Sequence, residues 1–163
     1  MNIRPATLAD IPSIISLERQ CATSAHWTEE QYKRLFRTDG APEGLVLVAG
    51  ESLPITSGQE SNLDASGGIL GFLIARHLAP EWELENIVVA PAARRKGLGK
   101  LLLDALLAAA RETNSSSVFL EVRESNAGAR TLYEKAGFEQ TGRRKSYYKD
   151  PLEGAILYRR TLR

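Results

Sequence analysis

Residues 87–100 constrain the fold more tightly than any other stretch of this sequence. An apolar, β-branched run Ile87-Val88-Val89 stops at Ala90-Pro91, a basic turn carries Arg94, Arg95 and Lys96, and Gly97 and Gly99 straddle the start of a leucine-rich segment. Proline ends a strand because it has no N–H to give to a ladder. Beyond it, Leu98, Leu101, Leu102, Leu103, Ala105, Leu106 and Ala109 recur at helical spacing. A strand, a glycine-bearing turn and a long helix are predicted in that order. The first N–H groups of a helix have no intrahelical acceptor and lie at the positive end of its dipole. Gly97 and Gly99 let the backbone approach a guest closely, and Arg94, Arg95, Lys96 and Lys100 surround it with positive charge. Such a turn suits a pyrophosphate.

Two common phosphate loops do not fit. A Walker A loop needs glycine where Arg94 stands and Ser or Thr where Leu101 stands. A dinucleotide fingerprint needs a third glycine at the position of Leu102. The bland alternative is a solvated basic turn with glycines for chain reversal, and the strong strand before it and helix after it weigh against that reading.

The 163 residues are enough for one domain, 1–163, with a single core. From the N-terminus, Ile3 to Ala6 reads as a strand, and Thr7 or Asp10 caps a helix carrying Ile11, Ile14, Ile15 and Leu17. Thr28 followed by Glu29-Glu30-Gln31 is a capping pattern for a second helix with Tyr32, Leu35 and Phe36 on its apolar face. Residues 45–49 and 69–75 are β-rich runs, separated by a Ser/Gly/Asn/Gln-rich stretch, 50–68, that reads as an overlong mobile loop. Strands follow at 83–89 and 117–123, flanking the leucine-rich helix. Asn126 caps a helix with Ala129, Leu132, Tyr133 and Ala136 on one face, Gly137 stops it in the left-handed conformation, and two last strands cover 138–148 and 155–162. Local hairpins mixed with helical crossovers predict an α/β or α+β fold with helices on both faces of a mixed sheet.

Composition excludes several function classes. With 21 basic and 20 acidic residues the net charge is +1, so no global field draws the chain to nucleic acid or to an acidic membrane. No apolar run approaches a membrane span and the N-terminal residues lack a signal-peptide core, so a cytoplasmic protein is expected. Cys21 is the only cysteine, which removes an intramolecular disulfide and any cysteine-based metal cluster, and no metal is expected. His26 and His77 lie far apart, and no Gly-x-Ser-x-Gly elbow accompanies them to suggest a hydrolase.

Val89-Ala90-Pro91 followed by Arg94-x-x-Gly97-x-Gly99 resembles the acetyl-CoA loop of the GNAT superfamily. Leu120-Glu121-Val122-Arg123-x-Ser125-Asn126, Leu132-Tyr133-Glu134-x-x-Gly137-Phe138 and Arg143-Arg144-x-x-Tyr147-Tyr148 extend the likeness. Together they resemble the RimI group of N-terminal alanine acetyltransferases, densely from Glu83 to Tyr148. The resemblance implies a GNAT-like mixed, mostly antiparallel sheet of about seven strands with about four helices. It implies acetyl-CoA as cosubstrate, held by Ile87, Val88 and Val89 through backbone groups, by Arg94, Arg95, Lys96, Gly97, Leu98, Gly99 and Lys100 at the pyrophosphate, and by Asn126. It further implies Glu121 as general base and Tyr133, close to the same cofactor, as general acid. The acceptor it implies is a protein N-terminus, such as that of an alanine-starting small-subunit ribosomal protein.

The chemistry of amines is consistent with those roles. An α-amine titrates at roughly 7.7–8.0 and lysine near 10.4, so the nucleophile must lose a proton before it attacks. A carboxylate in a partly dry strand can take that proton, and a phenol can protonate the leaving thiolate. Alternation along the strand puts Glu121 with Phe119 and Arg123, opposite Leu120 and Val122. Patterning alone leaves Glu121 open as a surface partner of Arg123, and Tyr133 open as a core tyrosine with its hydroxyl at the rim. Trp27, Tyr147 and Tyr148 are candidate walls for the acceptor or ordinary packing residues. Cys21 has only Arg19 as a basic neighbour in sequence, which favours direct transfer in a ternary complex over an acetyl-cysteine. A small amine or a lysine side chain is the alternative acceptor, and a CoA-binding sensor without turnover is the alternative of another class.

Overall fold

The computed structural model describes residues 1–21, 26–37, 44–50 and 68–162. In chain order they form β1 (Asn2–Pro5), α1 (Ile11–Arg19), α2 (Glu29–Leu35), β2 (Gly44–Gly50), β3 (Ile69–Leu78), β4 (Glu81–Val89), α3 (Leu98–Glu112), β5 (Ser117–Arg123), α4 (Ala127–Lys135), β6 (Glu139–Lys149) and β7 (Leu152–Thr161). The seven strands make one sheet in the order β1-β2-β3-β4-β5-β7-β6. Only β4 and β5 run parallel, and the other neighbours are antiparallel. The α+β expectation holds in element order and in type. Most of the predicted mobile loop, 51–67, falls outside the described residues.

Helix starts follow the residues that cap them. The Thr28 hydroxyl accepts the Gln31 N–H at 3.3 Å, and the Gln31 side chain returns to the Thr28 N–H at 2.8 Å, closing a capping box on α2. Asn126 Oδ1 accepts the Ala129 N–H at 3.2 Å to open α4, and Gly137 closes it at φ 80°. Thr7 caps a single 3-10 turn, Leu8–Asp10, and α1 begins behind it with Pro12 in its first turn.

Two cores lie on opposite faces of the sheet. One gathers Leu98, Leu102, Leu103, Leu106 and Leu107 of α3 with Tyr133 of α4, Trp82 and Leu84 of β4, and Val118, Leu120 and Val122 of β5. The other gathers Ile11, Ile14 and Leu17 of α1 and Tyr32 of α2 with Phe72, Ile74 and Val88 of the sheet. Each fully buried leucine contributes about 1.5–3 kcal/mol, so α3 is held chiefly by its own apolar face. It sits close because Gly71 of β3 has no side chain. A Cβ there would stand 2.9 Å from the Val88 carbonyl oxygen and 3.3 Å from Leu98 Cδ2 and Leu102 Cδ1. Gly71→Ala is expected to destabilise the chain by about 1–3 kcal/mol, read as a lower urea midpoint with an unchanged slope.

One irregularity shapes everything that follows. In the β3–β4 ladder Ile74 faces Asn86 while Ala75 faces Leu84, which leaves Glu85 as an extra residue on β4. A bulge of this kind bends its strand and shifts side-chain parity by one. Trp82 and Leu84 accordingly point into the α3 core, whereas Val88 points into the α1/α2 core and Ile87 and Val89 pack on the α3 side. The parallel pairing with β5 runs from Glu81–Ser117 to Leu84–Leu120 and stops there. Beyond the bulge the two parallel strands part.

Candidate active site

The parting of β4 and β5 leaves the edge of β4 from Ile87 to Val89 without a neighbouring strand on the β5 side. Apart from the Val89 carbonyl, which accepts from Arg94, its outward backbone groups there are available to an extended guest, because unpaired ladder positions on a strand edge seek a partner. The family resemblance implies that task for Ile87, Val88 and Val89, and they lie along the parted edge.

The turn predicted to hold phosphate lies at the C-terminal end of β4. Gly97 caps α3 at φ 82°, and Arg95 also adopts the left-handed conformation at φ 64°. A non-glycine residue held there costs about 1–2 kcal/mol, a strain that recurs at functional turns. No side chain caps α3. Its first described backbone bond beyond the turn is from Leu101 N–H to Gly97 O, at 3.1 Å. The N–H groups of Leu98, Gly99 and Lys100 precede it, as the geometry of a helix start requires. A Cβ on Gly97 would meet nothing within 4 Å, so the turn opens onto free space. The glycines thus serve different ends. Gly97 supplies a backbone conformation, while a Cβ on Gly99 would come within 3.2 Å of Leu132 Cδ2, so Gly99 lets α3 approach α4.

The basic residues divide as well. Arg95 and Lys96 are exposed at the turn. Lys100 pairs with Asp104 one helical turn on, at 2.5 Å, which an arriving anion would have to outbid. Arg94 folds back instead of pointing out. Its Nε donates to the Val89 carbonyl at 3.1 Å, and its Nη2 lies 3.3 Å from Cys21 Sγ. Sequence reasoning found only Arg19 beside Cys21, and the tertiary structure adds Arg94. The arginine ties the end of α1 and the end of β4 to the phosphate turn.

Glu121 sits on the β5 face opposite Leu120 and Val122, which are in the α3 core, so its carboxylate faces the α1/α2 side. The predicted partner Arg123 pairs with Glu153 at 2.9 Å. Glu121 pairs with Arg144 of β6 at 3.0 Å. A large register break delivers that environment: Arg144 faces Ala155 and Tyr148 faces Glu153, so three residues of β6 stand against Gly154 alone. Ser146, within the break, is left-handed at φ 51°. Tyr147 is thereby thrown toward Glu121, whose hydrogen bond holds the Tyr147 phenol above its usual range. Arg144 lies 5.4 Å from the Tyr147 ring centre, and Arg123 lies 4.2 Å from that of Tyr148.

Tyr133 is on the other face. It is buried between Phe138 and Tyr158, at 5.9 and 6.1 Å between ring centres. Burial first, then the nearby Tyr148 hydroxyl, pushes its phenol well above the ordinary value, so it stays protonated at any physiological pH. Asn126 stands at the start of α4 with its oxygen engaged in the cap. Trp27 packs against the α1/α2 core with its ring tilted at 40° to that of Tyr32, 5.5 Å between centres. Glu121, Trp27 and Tyr147 thus lie on one side of the sheet, α3 with its glycine turn and Tyr133 on the other, and β4 and β5 part between them.

Two carboxylates escaped the sequence reading. Glu18 of α1 is 1% exposed, and burial raises its carboxyl above the usual range despite the hydrogen bonds it accepts. Glu85, the bulge residue, pairs with Arg76 at 2.5 Å, and its Oε2 is buried with no hydrogen-bond partner among the described residues. Burial is also the main cause of its raised pKa. Glu18 follows the apolar positions of α1 as an ordinary polar residue. A break in strand parity, apolar at 82 and 84 but at 87 and 89 beyond, was the available sign for Glu85.

Comparison with known proteins follows the same outline. Residues 11–138 match the sequence profile of the Acetyltransferase (GNAT) family. The [Ribosomal protein bS18]-alanine N-acetyltransferase of Haemophilus ducreyi is 34% identical over 125 residues, 76% of this chain and 86% of that protein. Its namesake from Haemophilus influenzae is 44% identical over 86 residues, and that match spans 58% of the relative's length. The crystal structure of the ribosomal-protein-S18-alanine N-acetyltransferase from Escherichia coli superposes with a TM-score of 0.78 at 26% identity, covering 98% of this chain and 92% of that one. With a parted pair of parallel strands, an uncapped glycine turn at the helix that follows, and a family match over most of its length, the chain belongs to the acetyltransferase (GNAT) family.

Proposed function

We propose that this protein transfers the acetyl group of acetyl-CoA to the N-terminal α-amine of a protein, an alanine-starting small-subunit ribosomal protein in the first instance. The observation that carries the reading is the parting of β4 and β5, with a glycine turn and an uncapped helix start at one mouth and a carboxylate with aromatic neighbours at the other. Relatives named for bS18 alanine acetylation favour the acceptor.

Acetyl-CoA supplies the acetyl group as a thioester. The turn at 95–100 holds its pyrophosphate, and the free edge of β4 holds the arm that leads to the reacting carbon. On the far face, Glu121 accepts the proton that the ammonium must lose, and Tyr147 and Arg144 hold the carboxylate in place meanwhile. Tyr133, kept protonated by burial, gives its proton to the departing sulfur. An N–H of β4 at the gap donates to the carbonyl oxygen as charge develops on it. Because base and acid act from opposite faces, both substrates can be bound together and no acyl-enzyme is required.

The test is release of free thiol from acetyl-CoA with an alanine-starting peptide, the same peptide with a blocked N-terminus, a lysine-only peptide and a polyamine. Turnover confined to the free alanine amine is expected. Preference for lysine or polyamine moves the acceptor to the alternative class, and calorimetric binding of acetyl-CoA without turnover on any amine makes the protein a sensor.

A further inference from the structure

Among the described residues, Glu18 is a buried carboxylate whose partners include groups on α2, on β4 and in the segment just before α2. Its Oε1 accepts the Tyr32 hydroxyl of α2 at 2.8 Å and Asn86 Nδ2 of β4 at 3.1 Å, and its Oε2 accepts the Trp27 backbone N–H at 3.1 Å. Tyr32 is itself fully buried and Asn86 nearly so. A buried ion is costly, and one satisfied by converging donors is a rigidifying device more than a source of stability.

The location of those donors gives the device a purpose. Asn86 follows the bulge residue and precedes Ile87, the first residue of the free β4 edge. Trp27 stands just before α2, on the sheet face that carries Glu121. One carboxylate therefore fixes the acceptor-side wall to the strand that would hold the thioester. We infer that Glu18 is a positioning residue that sets the distance between the acceptor amine and the acetyl carbon, without touching either. This rests on the proposed function. Misplacement by about 1 Å can cost on the order of a hundredfold in rate.

Glu18→Met fills a similar volume and removes the ties to Tyr32, Asn86 and Trp27. Glu18→Gln can restore them in part: its oxygen can accept the Trp27 N–H while its amide meets the Tyr32 oxygen and a turned Asn86 amide. Tyr32→Phe removes one tie only. The wild-type protein is first assayed with acetyl-CoA and an alanine-starting peptide. Absence of wild-type turnover defeats the proposed function and this inference with it. Given wild-type turnover, Glu18→Met is expected to lower the peptide kcat/KM about tenfold or more, with the acetyl-CoA Kd within about twofold of wild type. Glu18→Gln should recover most of that loss, and Tyr32→Phe should show the same split in milder form, about threefold in peptide kcat/KM. Cooperative melting of each variant is recorded alongside. The inference alone is overturned if a folded Glu18→Met keeps the wild-type peptide kcat/KM, or if its loss is matched by an equal rise in acetyl-CoA Kd. It is equally overturned if Glu18→Met does not fold and Tyr32→Phe leaves peptide kcat/KM unchanged.

Discussion

Glu121→Gln is expected to lower kcat about 10²–10⁴-fold near neutral pH, with the acetyl-CoA Kd within about twofold of wild type. The amide keeps the shape of the carboxylate and still offers an oxygen to Tyr147 or Arg144, so the fold around β5 and β6 has no reason to move. What it cannot do is take a proton from an ammonium. Affinity for the cofactor is spared because the carboxylate faces the α1/α2 side, away from the phosphate turn. Thiol release gives kcat, and calorimetry gives Kd. A variant with wild-type turnover would remove Glu121 from the base role and turn attention to Glu85, whose unpartnered oxygen lies at the bulge.

The second large effect is expected at Gly97. Gly97→Val places a β-branched side chain at φ 82°, where even an unbranched residue costs about 1–2 kcal/mol. Nothing within 4 Å of the new Cβ obstructs it, so the penalty is conformational and the remainder of the chain is undisturbed. The first turn of α3 can relieve that strain only by rotating its N–H groups away from a common focus. Acetyl-CoA Kd should rise about tenfold to a hundredfold, while Tm falls by less than about 8 °C. Gly97→Asn is the control, because asparagine tolerates the left-handed region, and it should retain most of the affinity. Equal losses in both variants would mean that the turn's backbone conformation does not govern binding.

Periodicity made the regular parts of this molecule legible. Leu98 to Ala109 read as a helix and are one, and the alternation of Val118, Leu120 and Val122 against Phe119 and Glu121 assigned each to its correct face. Capping at Thr28 and Asn126 was equally plain, because it depends on residues three apart in sequence. The bulge at Glu85 was harder. A plain alternation through 82–88 would send Trp82, Leu84 and Val88 to one core, and the inserted residue sends Val88 to the other. Contacts across long sequence separations were not legible at all. Glu18 meets Asn86 and Cys21 meets Arg94 only after α1 has packed on the sheet, and no local pattern encodes that approach. The pairing of Glu121 with Arg144, in place of its neighbour Arg123, likewise follows from a register break two strands away.

Under the proposed function, β4 and β5 part with the glycine turn on one face of the sheet and Glu121 with Arg144 on the other, which would give the two reactants separate doors. In that reading α3 serves the nucleotide end and the tyrosine-bearing strand β6 serves the amine end. Substitutions at one entrance can retune the choice of acceptor without altering how the donor is recognised, so a single scaffold can be turned toward new amines one side at a time.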